Sequence, residues 1–96
     1  MTREMIKFRE MLDAENIKWT DVSDNDISDI YHIDRTHFDY RGYSWSVIHG
    51  YGSYGGISSW HDDEGLLEMM SNGANDGDPI GWLTAEEVMQ YVRGET

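Results

Sequence analysis

Four histidines and a surplus of carboxylates are the side chains of this chain with the most chemical potential. There is no cysteine, so disulfides and thiolate metal sites are excluded, and zinc would need imidazole and carboxylate ligands. His32, Asp34 and His49 are candidate ligands, and His61-Asp62 follows close after a Gly/Tyr-rich loop. Their spacing matches no recognised zinc pattern. The simpler reading hydrogen-bonds His32 and His49 to Asp34 in a partly buried site. Asp24, Asn25 and Asp26 have the composition of a calcium loop. An EF-hand needs Gly at its sixth position and Glu at its twelfth. Counted from Asp24, those positions hold Asp29 and Arg35, so this stretch reads as a solvated loop. Gly50-Tyr51-Gly52-Ser53-Tyr54-Gly55-Gly56 lacks the Gly-Lys-Ser/Thr of a phosphate loop and the spacing of a nucleophile elbow. Asp62, Asp63 and Glu64 are adjacent along the chain, so they diverge rather than flank a substrate. The expectation is a non-enzymatic protein with no cofactor and no metal. The alternative is a metal- or small-ligand-binding module built on His32, Asp34, His49 and the Gly/Tyr-rich loop.

Elements must position these groups within 96 residues, which allows one domain spanning 1–96. Hydrophobic residues make up 39%, enough for a small core and too much for a disordered chain. No apolar run approaches the roughly 18 residues of a membrane span. Met1 to Lys7 lacks an apolar region of the kind a signal peptide needs.

The formal net charge is −12, and it is unevenly spread. Residues 1–18 balance, and Arg93 is the sole cation in 42–96. Such a field repels nucleic acid and anionic membranes and attracts basic protein surfaces. Tyr31, Trp45, Tyr51, Tyr54, Trp60 and Trp82 exceed what a core of this size easily absorbs, and exposed Tyr and Trp anchor interfaces. The candidate partner-binding residues are Asp24, Asp26, Tyr54, Trp60, Asp62, Asp63, Glu64, Asp76 and Asp78.

Apolar residues Met5, Phe8, Met11 and Leu12 recur at helical spacing, predicting a helix over 2–15 with Thr2 as its N-cap. Ile30–Tyr40 and Tyr43–Tyr51 read as strands joined by the two-residue turn Arg41-Gly42. That register places Tyr40, Phe38, Thr36 and Asp34 opposite Tyr43, Trp45, Val47 and His49, with this face toward the core. Asp39, Ser44, His37, Ser46, Arg35 and Ile48 take the other face. Residues 17–20 are expected to add a strand, and Ile57–Trp60 another short one. A helix is expected from Asp62 or Asp63 through Met70, ending near Asn72-Gly73. Thr84 and Glu87 form a capping box for a last helix with Ala85, Val88, Met89 and Val92 on one face. The fold expected is α+β: an N-terminal helix, a small antiparallel sheet with a central hairpin, and two C-terminal helices.

Residues 35–42, 47–56 and 65–70 (Arg-Thr-His-Phe-Asp-Tyr-Arg-Gly, Val-Ile-His-Gly-Tyr-Gly-Ser-Tyr-Gly-Gly and Gly-Leu-Leu-Glu-Met-Met) resemble small proteins of phages and integrative elements of Firmicutes. In size, acidity and lack of cysteine the chain is similar to anti-CRISPR inhibitors. The resemblance carries over no site residue. It implies a protein of the bacterial host cytoplasm that binds a CRISPR effector nuclease and blocks its basic nucleic-acid-binding surface, in the manner of an acidic DNA mimic.

Overall fold

The computed structural model describes residues 2–23, 33–50, 52–54 and 65–95. Helix α1 (Arg3–Ala14) buries Met5, Phe8 and Leu12, the three- and four-residue spacing that puts side chains on one helical face. Thr2 stands at the N-cap in extended conformation, but its side chain makes no cap bond. Asn16 ends the helix in the left-handed region, at φ 58°, which asparagine tolerates.

Strands β1 (Trp19–Asp21), β2 (Ile33–Tyr40), β3 (Tyr43–Gly50), β4 (Leu67–Ser71) and β5 (Ile80–Leu83) form one antiparallel sheet in sequence order. Both turn residues of the central hairpin are left-handed, Arg41 at φ 56° and Gly42 at φ 80°. That is the type I′ geometry whose twist suits a two-residue hairpin. The register follows as expected, with Tyr40 opposite Tyr43, Phe38 opposite Trp45, Thr36 opposite Val47 and Asp34 opposite His49. Phe38, Trp45, Thr36, Val47, Asp34 and His49 are buried. Residues 17–20 contribute β1, as expected, although the strand begins at Trp19.

The C-terminal half departs from expectation. Leu67–Ser71 is a strand, where a helix was expected through Met70. Leu67, Met69 and Ser71 point to the core, while Glu68 is half-buried and Met70 exposed, a period of two. Leu and Met are good helix formers, and so short an apolar run does not distinguish helix from strand. Pairing decides it, because β3 needs a neighbour: Trp45 faces Ser71, Val47 faces Met69 and Ile48 faces Glu68. Among the described residues there is one C-terminal helix, α2 (Ala85–Arg93), preceded by a 3-10 turn at Asn75–Gly77. Strand β5 was not anticipated. The strand expected over 57–60 lies outside the described residues.

Helix α2 carries the capping box read from the sequence. The Glu87 N–H donates to the Thr84 hydroxyl at 3.2 Å, and the Thr84 N–H donates to Glu87 Oε1 at 3.0 Å. Both helices pack on one face of the sheet. There Met5, Phe8, Leu12, Val88, Met89 and Val92 meet Phe38, Trp45, Val47, Leu67 and Met69 in one core. Among the described residues, no helix is long and apolar enough to cross a membrane.

Candidate functional site

Among the described residues, no helix packs on the other face of the sheet. Its central cross-strand row is Thr20, His37, Ser46 and Met70. The next row is Arg35, Ile48 and Glu68. Threonine and serine side chains are short, so the middle of this face is a shallow groove bordered by Lys18, His37, Asp39, Met70 and Asn72. Ser44 ties one side of it: its hydroxyl donates to Asp39 Oδ1 at 3.0 Å and its N–H donates to Asn72 Oδ1 at 3.0 Å.

The connection from β4 to β5 holds two of the expected partner-binding acids. Asn75 and Asp76 adopt φ 51° and 54°, a left-handed conformation that these side chains accept more readily than most. The Asp78 N–H donates to the Asn75 carbonyl at 2.9 Å, and the Gly77 N–H to the Ala74 carbonyl at 3.0 Å. Asp76 and Asp78 are thereby fixed on an exposed turn, and Gly77 of the same turn borders the groove. The structure places both residues on this one turn. Asp24, Asp26, Trp60, Asp62, Asp63 and Glu64 lie outside the described residues.

Tyr54 is exposed, as expected, and its backbone is held at the sheet. Its N–H donates to Glu68 Oε1 at 2.9 Å, and its carbonyl accepts from the Trp82 N–H at 3.1 Å. Tyr54 also covers Gly81, where a Cβ would overlap its own. Trp82 was missing from the expected partner-binding residues, although it was among the aromatics expected to be exposed. It is 56% exposed and sits at φ 62°. The cause is a bulge: Leu67 pairs with Leu83 and Met69 with Ile80, so Gly81 and Trp82 together oppose Glu68. A signal for this strand was present in Pro79-Ile80-Gly81-Trp82-Leu83, a short run between a proline and the Thr84 cap. Trp45 corrects the exposed-aromatic expectation. It is buried, stacked on Phe38 with ring centroids 6.2 Å apart, and its Nε1 donates to the Tyr40 carbonyl. Tyr31, Tyr51 and Trp60 lie outside the described residues.

Most cations of the chain are engaged internally. Arg9 is buried, and its guanidinium donates to Thr36 Oγ1 at 2.8 Å, to Asp21 Oδ1 at 3.2 Å and to the Arg35 carbonyl at 3.2 Å. It also lies 4.6 Å from the Trp19 ring centroid. Lys7 pairs with Glu86, and Arg93 with Glu15 and Glu95. Hydrogen bonding to Glu86 holds the Lys7 ammonium above its ordinary range, and the same bond holds Glu86 below its own. Glu15 does the same for the Arg93 guanidinium. Arg41 donates to the Val92 carbonyl at 3.1 Å. These contacts place positive charge at the helices and the β2–β3 turn, whereas Asp76 and Asp78 lie on the β4–β5 turn.

The histidine cluster is present only in part. His49 is 3% exposed and Asp34, opposite it, is 4% exposed. His49 Nδ1 lies 3.0 Å from the Leu66 carbonyl. A carbonyl only accepts, so Nδ1 is the donor, and in the neutral ring Nε2 then presents a lone pair. Among the described residues, that buried Nε2 has no hydrogen-bond partner. Among the described residues, no three His, Asp or Glu side chains are grouped closely enough to hold a metal ion. His32 and His61 lie outside them. His37 is on the exposed face, away from this pair. Comparison with family models, curated proteins and solved structures finds no match to this chain.

Proposed function

We propose that this chain is a non-enzymatic acidic docking protein that occupies a basic nucleic-acid-binding surface on a protein partner. The observation that carries this reading is the charge arrangement. The chain has a net charge of −12. Arg9, Lys7 and Arg93 pair with carboxylates of the fold itself, and Asp76 and Asp78 stand on an exposed turn beside the groove. Carboxylates pair with Arg and Lys as phosphates do, so a surface built to hold nucleic acid is the complementary partner. A CRISPR effector nuclease is the partner implied by the resemblance described above, and DNA mimicry is the mechanism. The test is calorimetric titration of purified effectors with the parent and with an Asp76→Asn/Asp78→Asn variant. The reading expects binding that the variant weakens. Equal affinity of the two proteins would remove this turn from the interface.

His49 favours a second reading, a metal- or small-ligand-binding module. Metal-ligating imidazoles commonly donate their other N–H to a backbone carbonyl, as His49 Nδ1 does to Leu66. The buried Nε2 of His49, which in the neutral ring offers a lone pair, is the donor on which this reading stands.

A further inference from the structure

Trp82 pairs two properties that oppose each other. Its backbone is left-handed at φ 62°, a conformation costly for any residue with a Cβ and a clear outlier for a bulky one. Its side chain is 56% exposed, so burial returns little of that cost. Glycine is the residue a left-handed position ordinarily takes. Strained non-glycine residues that the surrounding structure holds in place cluster at ligand clamps. The surroundings here do hold it: the Trp82 N–H is bonded to the Tyr54 carbonyl, Tyr54 is bonded to Glu68, and Gly81 leaves room for Tyr54.

We propose that Trp82 is the anchor through which this surface takes an arginine side chain of its partner. The proposal rests on the docking reading above and names the chemistry of contact. An indole ring is the strongest aromatic acceptor of a cation. A guanidinium stacks on such a ring, whereas the lysine ammonium is a compact, strongly hydrated charge. The acidic balance of the chain selects a cationic partner, with Asp76 and Asp78 just ahead of β5. The bulge presents the ring before the partner arrives, which lowers the ordering cost of binding.

Indole N–H resonances of the ¹⁵N-labelled full chain, titrated with octa-arginine and octa-lysine at low salt, test this. The Trp82 signal is assigned with Trp82→Phe. Trp19 and Trp45 are internal references, because their indole N–H groups donate to Asp13 and Tyr40. Octa-arginine is expected to shift the Trp82 signal and octa-lysine to leave it in place. Trp82→Gly is expected to weaken octa-arginine binding about fivefold, on the scale of an exposed cation–π contact. Its melting temperature should equal or exceed the parent's, since glycine relieves the left-handed strain. A structural role would instead lower the melting temperature and leave peptide affinity unchanged, and that result would overturn the proposal. Equal shifts with both peptides would overturn the arginine preference. If octa-arginine binds with no effect at Trp82, the anchor fails while the acidic docking reading stands. If neither peptide binds the parent, that reading fails and the anchor with it.

Discussion

The Glu4 carboxylate accepts a hydrogen bond from the Ala85 backbone N–H at 2.8 Å. This contact joins the first turn of α1 to the first turn of α2. It satisfies one of the donors left open at a helix start and places negative charge at the positive end of the helix dipole. Glu4 is itself buried, so removing it strands a buried N–H. Glu4→Ala should destabilise the fold by about 1.5–3 kcal/mol, the range for a hydrogen bond to a charged group. Urea unfolding followed by circular dichroism measures this. A change within error of zero would show that α2 starts equally well without Glu4.

Acid should loosen the attachment of β1. The Asp21 carboxyl is held below its ordinary range by the Ser23 hydroxyl first, then by the Ser23 N–H, with Arg9 adding to the effect. A depressed folded-state pKa contributes stability that is fully present above the unfolded value, about 3.9, and is lost as pH falls through the folded value. The urea midpoint should therefore fall as pH drops below about 4, and fall less in Asp21→Asn. An identical pH dependence in the variant would contradict this assignment.

The strand at Leu67–Ser71 makes neighbouring methionines unequal. Met69 is 1% exposed and Met70 is 47% exposed. Met69→Ala should cost about 2–5 kcal/mol, as for other core truncations, whereas Met70→Ala should stay within about 0.5 kcal/mol of the parent. Comparable losses at both positions would argue against the strand.

Local chemistry explains how much was legible in the sequence. The hairpin register could be read because Arg41-Gly42 fixes the turn and the aromatic alternation fixes the faces. The capping box at Thr84 and Glu87 was equally plain. Strands β4 and β5 were obscured because Leu66 to Met70 suits a helix locally and becomes a strand only by pairing with β3. The bulge that exposes Trp82 depends on that pairing, so no local pattern announces it. The Arg9 contacts with Thr36, Asp21 and Trp19 likewise bring together residues distant in the chain. Of the expected partner-binding residues, Tyr54, Asp76 and Asp78 are described and exposed.

The His49 reading has its own check. Protein purified without chelator or affinity tag would be analysed for metal by mass spectrometry. The metal-binding reading predicts stoichiometric metal in the parent and its loss in His49→Gln. Metal retained by that variant would remove His49 from the site.

The central claim is that this chain and nucleic acid compete for the same basic surface. The direct measurement is displacement of labelled target DNA from a purified CRISPR effector by the full chain, repeated across salt concentrations. The claim predicts displacement near stoichiometric amounts at low salt, weakening about tenfold or more by physiological salt as exposed charges are screened. DNA that stays bound at large excess of the chain, at every salt concentration and across a panel of effectors, would contradict it.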